Sequence, residues 1–271
     1  MTARFFHDVT VDENRKAQLM RQPAATRTYV IHFTPRSGSS WLTEVISRTG
    51  QLSAANEAFN PNFIPRIAQA LGAATMEDYI ALLLRRFNTG GIYGVEITAH
   101  QMNAVFGSYE GFHRFFPDVT SFWLTRKDIV AQAVSLAKMV TTSVAHTPGL
   151  DAQRLQEAER GFDYDAKLIK QWLLHILVAE EACEDWFEAY DLAPRRLCYE
   201  QITTQGPGPT LDEITGHLGL PPLNHPPGAL SHAKLGTQKN AEFAERFRRE
   251  HPSFLSEVAA RRQRTLSRLP D

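Results

Sequence analysis

The chain has 271 residues, with 29 Lys and Arg against 30 Asp and Glu, a formal net charge of -1 and 43% hydrophobic residues. This balance gives no global field for wrapping nucleic acid or coating an anionic membrane, so an anion site has to come from a few positioned residues. The length suits one sizeable core, and a single domain over residues 1–271 is expected, with an N-terminal arm over about 1–26 and C-terminal helices over about 229–271.

Cys183 and Cys198 lie in separate apolar segments and form neither a CxxC pair nor a disulfide framework, which fits a reducing compartment. The N-terminal stretch MTARFFHDVTVDENRKAQLM places acidic residues where a signal peptide needs an apolar run. No later run approaches the ~18 apolar residues of a membrane span. The expectation is a soluble, cytoplasmic protein with no stable membrane insertion and no nucleic-acid partner.

Along the chain, Thr28 to Phe33 (TYVIHF) is a β-branched and aromatic run, predicted as a buried strand. A helix follows, with Trp41, Leu42, Val45 and Ile46 on one face, Ser39 or Ser40 able to cap its start and Gly50 able to end it. Leu52 to Ala55 is predicted as a second short strand, Met76 to Phe87 as a helix and Ile92 to Thr98 as a third strand. Thr120 to Leu124 makes a fourth strand, and Ile129 to Val140 a helix presenting Ile129, Ala133, Leu136 and Val140. Thr141 to Arg160 has no clear period and is expected to be a mobile, substrate-side segment. Asp165 to Tyr190 keeps helical spacing, Arg196 to Tyr199 is a fifth strand, and Leu211 to Leu218 and Asn240 to Leu266 are helical in pattern around the Pro-rich stretch Pro221 to Gly228. Such alternation predicts an α/β three-layer fold, with a central, mainly parallel sheet of about five strands and helices on both faces, because parallel strands need crossover connections.

The richest chemistry lies where the first strand hands over to the first helix, at Thr34-Pro35-Arg36-Ser37-Gly38-Ser39-Ser40-Trp41. Backbone N–H groups at a helix N-terminus converge on an anion, Gly38 permits close approach, and Arg36 can bind phosphate oxygens bidentately. This is not a Walker A motif, which needs a further Gly and a Lys directly before its Ser or Thr. On spacing alone, a capped turn with a surface Arg36, a surface Glu57 and an Arg126 paired with Asp128 are the plain alternatives. An ATP- or GTP-dependent phosphotransferase with a degenerate loop, or a non-catalytic nucleotide-binding protein, would carry similar residues.

PRSGSSW resembles the 5′-phosphosulfate-binding loop of sulfotransferases, and with the motifs below the chain resembles the bacterial trehalose sulfotransferase family of carbohydrate sulfotransferases, over roughly residues 27 to 250. The resemblance implies a P-loop-like fold and 3′-phosphoadenosine 5′-phosphosulfate as donor, held on Pro35, Arg36, Ser37, Gly38, Ser39 and Ser40, with Arg36 also stabilising charge during transfer. In Trp123-Leu124-Thr125-Arg126-Lys127-Asp128 and the following Ala133-Val134-Ser135-Leu136, it implies that Arg126 and Ser135 grip the donor's 3′-phosphate, with Lys127 a competing cation. In Asn56-Glu57-Ala58-Phe59, Glu57 matches the family's general base; Asn56 would orient it, and Phe59 would desolvate it and line the acceptor site. Tyr93-Gly94-Val95-Glu96-Ile97 is similar to a family strand in which members often have Lys where Glu96 stands. His100, a second candidate base, and Gln101 follow it and are expected at the acceptor. Lys234 and Lys239 are candidates for the 3′-phosphate, and Tyr199-Glu200 resembles a family pair with a structural role. The resemblance further implies a small carbohydrate or glycolipid acceptor and allows a homodimer. His146, His175, His225 and His232 make no ligand cluster, so no metal is expected.

Overall fold

The structure is a computed structural model and describes residues 2–144, 152–224, 228, 230–231 and 237–270. After a 3-10 turn at Thr2–Phe5, the elements run α1 (Glu13–Met20), β1 (Arg27–Phe33), α2 (Ser39–Thr49), α3 (Ile64–Leu71), α4 (Met76–Arg86) and β2 (Ile92–Ile97). Next come α5 (Ala99–Phe106), α6 (Tyr109–His113), β3 (Thr120–Thr125), α7 (Ile129–Thr142), α8 (Ala152–Arg160) and α9 (Ala166–Ala189). The chain continues through β4 (Arg195–Cys198), α10 (Tyr199–Gln205), α11 (Pro207–Leu218), α12 (Gln238–Glu250) and α13 (Pro252–Leu266).

The strands form an all-parallel sheet in the order β2-β1-β3-β4. Successive strand residues face opposite sides, so the unbroken burial of Tyr29 to Phe33 requires cover on both faces. On one face Tyr29, Ile31, Phe33, Phe122 and Leu124 pack with Leu42, Val45 and Ile46 of α2 and Leu211 and Ile214 of α11. On the other, Val30, Tyr93, Val95 and Ile97 join the aromatic cluster of α4 to α6, while Trp123 packs with Cys183 and Phe187 of α9. The chain moves outward from β1 to β2, then crosses to the other side of β1 for β3. The winding direction therefore reverses between β1 and β3, and ligands of open parallel sheets bind at the strands' carboxyl ends at such a reversal. Those two ends carry residues 34–38 and 126–128.

Among the described residues four strands form the sheet, not about five. Leu52 to Ala55 is no strand; only a single bridge, Asn56 to Val95, ties this stretch to β2. Side chains hold it instead. Tyr29 Oη donates to the Ser53 carbonyl at 2.5 Å, and Ser53 Oγ donates to the Phe87 carbonyl at 2.7 Å. Gly94 makes room for that arrangement, since a Cβ there would collide with the Tyr29 hydroxyl.

Other expectations shift too. The N-terminal arm contains α1 and sends Phe5, Phe6 and Leu19 into the core. Within Thr141 to Arg160 the chain forms α8, with 145–151 outside the described residues. The helix expected over 240–266 is two, because Pro252, which has no N–H, opens α13. Among the described residues no single helix is long and apolar enough to cross a membrane.

Candidate active site

The loop between β1 and α2 is held in an uncommon conformation. Arg36 has a left-handed φ of 67°, rare for a residue with a Cβ. Gly38, with φ 95°, is packed so closely that a Cβ there would lie 2.6 Å from Tyr199 Cδ2. The loop's oxygens are claimed from the β3–α7 side: Gln132 Nε2 donates to Pro35 O and to Thr34 Oγ1, both at 2.8 Å, and Arg126 Nη1 donates to Arg36 O at 3.4 Å. Neither Ser39 nor Ser40 caps α2; Gly38 is the N-cap residue and no side-chain cap bond forms. A helix end of this kind directs N–H groups and the positive end of the dipole into the crevice. The buried Ser37 Oγ has no hydrogen-bond partner there.

Cations gather at the same place. Arg36 Nε donates to Ser135 Oγ at 3.0 Å. The Arg126 guanidinium lies 4.6 Å from the centre of the Tyr199 ring, with its Nε 3.7 Å from Glu200 Oε1. Burial, and then the neighbouring Arg126 charge, pull Arg36 below its ordinary pKa; an anion between the two guanidinium groups would relieve that strain. Arg126 does not pair with Asp128, which instead caps α7 through Ala131 N and meets Arg248 at 2.6 Å. Lys127 points elsewhere, its Nζ 3.5 Å from Pro270 O. Lys239 is likewise apart: it donates to Glu159 O at 2.8 Å and lies 3.9 Å from Asp163. Lys234 lies outside the described residues, as do His146, His225 and His232.

Glu57 follows the bridge to β2. Its Oε2 accepts hydrogen bonds from Asn60 Nδ2 at 2.8 Å and Gln101 Nε2 at 2.9 Å. Gln101 is itself fixed by a capping box with Thr98, whose N–H donates to Gln101 Oε1 at 2.9 Å. Asn56 shapes the turn, its Oδ1 accepting from Ala58 N at 3.1 Å. Phe59 does not line an acceptor surface: it has no exposure, and its ring packs on Phe106, Phe116 and Tyr79 at 5.0 to 6.0 Å. It anchors the Glu57 turn from below. His100 stacks on His175 with centroids 3.9 Å apart and joins α5 to α9. Burial, with the His100 charge second, lowers His175 to about 4.

A model of the family described as Stf0 sulphotransferase matches residues 72–250. The chain belongs to this family. Membership gives sulfuryl transfer to a small-molecule acceptor as its reaction class. The matched stretch of this Stf0 sulphotransferase includes Arg126, Ser135, Gln101 and Lys239, while the β1–α2 loop and Glu57 lie upstream of it. A search of the curated proteins found no match. Among the described residues no group of three or more His, Cys, Asp or Glu could hold a metal ion.

Three residues join the site that sequence reasoning did not place in it. Glu200 accepts the N–H groups of Lys127 at 2.9 Å and Asp128 at 3.2 Å. Arg262 of α13 donates to the carbonyls of Arg126 at 2.7 Å and Lys127 at 2.8 Å, while its Nε meets Glu180 of α9 at 2.7 Å. The turn that carries Arg126 is thus gripped by its donors on one side and its acceptors on the other. Glu96, the third, lies buried between Glu57 and α2. Tyr199-Glu200 was visible as a pair, but Arg262 sits in an Arg-rich helix with no distinguishing signal.

Proposed function

We propose that the chain transfers the sulfuryl group of 3′-phosphoadenosine 5′-phosphosulfate to a hydroxyl of a small carbohydrate or glycolipid acceptor, with Glu57 as general base, in the cytoplasm. The observation that carries this reading is the meeting of Arg36, Arg126 and Ser135 at the uncapped start of α2. A loop of this make-up suits one phosphate-bearing end of the donor. Arg126 and Ser135 suit the other, supplying binding and register through a phosphate remote from the chemistry. The donor, when bound, supplies the electrophilic sulfur.

Glu57 accepts the acceptor's proton as the hydroxyl oxygen forms its bond to sulfur, and the bond from sulfur to the bridging phosphate oxygen breaks with its electron pair kept by that oxygen. Arg36 and the amides of Ser37 to Ser40 stabilise the charge gathering on the phosphate. Gln101 and Asn60 hold one carboxylate oxygen of Glu57 and so aim the other.

Glu57→Gln tests this. Calorimetry at about pH 6.5 should give wild-type affinity for adenosine 3′,5′-bisphosphate, while sulfated product, followed by mass spectrometry over a panel of glycosides, should fall by about 10²–10⁴ in rate. Near-full turnover in that variant would remove Glu57 as base. Failure of the wild type to bind the bisphosphate would remove the donor.

A further inference from the structure

Glu96 points from β2 toward α2 and is only 6% exposed. Thr43 Oγ1 of α2 lies 3.4 Å from its Oε1, and the Ser39 side chain and the Glu57 carboxylate are close enough to act on it. Its Oε2 is buried without a hydrogen-bond partner. Its backbone N–H donates to Asn56 O at 2.9 Å, tying β2 to the stretch that carries Glu57. Glu96 therefore stands between the candidate base and the first residue of the donor helix.

The charges around it are few. Besides Glu57, the titratable group facing it is Tyr29 of β1, whose hydroxyl is committed to Ser53. On α2, Glu44 and Arg48 pair with one another at 3.1 Å. Among the described residues no cation figures among the charges acting on Glu96; burial first, then Glu57, push its carboxyl up to about 8. Burial and a neighbouring carboxylate both favour the protonated form of a carboxyl.

We propose that Glu96 is a positioning residue that must carry its proton for the donor to bind: neutral, it faces Ser39 and Thr43 at the start of α2 without adding charge, whereas ionised it sets a buried negative charge beneath the phosphosulfate loop. This rests on the donor reading above for the identity of the anion. An anion bound at Ser37 to Ser40 raises the proton affinity of Glu96 further, so by linkage donor affinity is full below the titration of Glu96 and is lost as pH rises through it.

The test is calorimetric titration with adenosine 3′,5′-bisphosphate from about pH 6.5 to 9.5, which needs no acceptor. Wild-type affinity should hold to about pH 8 and then fall by up to about tenfold per pH unit, the limit for one linked proton. Glu96→Gln should bind equally well at both ends of the range. Glu57→Gln should keep the fall but begin it at lower pH, because the charge that raises Glu96 is gone. An unchanged alkaline fall in Glu96→Gln, or a flat wild-type profile, overturns the proposal. Should Glu96→Gln not fold, the Glu57→Gln profile decides, and an unshifted fall there overturns it as well. Absence of any wild-type binding would refute the donor reading itself, and this proposal with it.

Discussion

Arg262→Met should damage stability and donor binding together, and the two losses should be separable. Arg262 and Glu180 are 3% and 1% exposed, so the pair is buried between α13 and α9. Truncating one partner of a buried pair leaves an uncompensated charge and costs about 3–5 kcal/mol. The flanking pairs Arg261–Glu181 and Arg264–Asp185 are partly exposed and belong to the range of about 0–1 kcal/mol. Urea denaturation should therefore show a large loss for Arg262→Met and a small one for Arg261→Ala. Burial already raises Glu180, with Arg262 opposing it; without Arg262 its folded-state pKa climbs further above the unfolded value. The penalty should then be present at neutral pH and shrink as pH falls and Glu180 takes up a proton. Adding Glu180→Met should recover most of the stability, since a neutral apolar pair of similar volume replaces the ionic one. It cannot restore the bonds to the Arg126 and Lys127 carbonyls, so affinity for adenosine 3′,5′-bisphosphate should stay low. Recovery of both properties in the double variant, or a loss under about 1 kcal/mol for Arg262→Met, would refute the clamp.

Three further outcomes follow from the same geometry. Gly38→Ala forces a side chain onto Tyr199 at φ 95°, and should weaken bisphosphate binding at least about tenfold in calorimetry while costing on the order of 1 kcal/mol in urea denaturation. Gln101→Ala frees the Glu57 carboxylate and should lower kcat more than it raises the donor KM, a split that steady-state kinetics would show. Asp128→Ala removes a helix cap and the Arg248 pair, and should cost about 1 kcal/mol of stability with donor affinity little changed, measured by thermal denaturation and calorimetry.

The centre of the fold is legible in the sequence because it is written locally. A β-branched run, a hydroxyl and glycine loop and a helical stripe lie in direct succession, and β1, the loop and α2 appear where that pattern puts them. Residues tied by short range elsewhere are legible too, as with Gly50, which ends α2 in the left-handed conformation. What escaped was set by distant partners. Leu52 to Ala55 has strand composition, but the Tyr29 hydroxyl and the Gly94 gap divert its hydrogen bonds to side chains. Phe59 reads as a pocket wall from its place beside Glu57, yet three aromatic rings draw it into the core. Thr98 extends the strand pattern by one residue while serving as the cap of α5, which hides both that helix and the grip of Gln101 on Glu57. Arg262 looks like any charge on a solvated helix face until α9 brings Glu180 to it.

The clamp on Arg126 has a consequence for how the molecule is made. Arg36 meets Ser135 across 99 positions, and Arg262 reaches Arg126 across 136. Contacts of such sequence separation form late, because loop closure precedes their reward. During refolding the helical circular dichroism signal should rise well before bisphosphate binding does, and a nascent chain still lacking α13 should carry β1, its loop and α2 without the finished anion site.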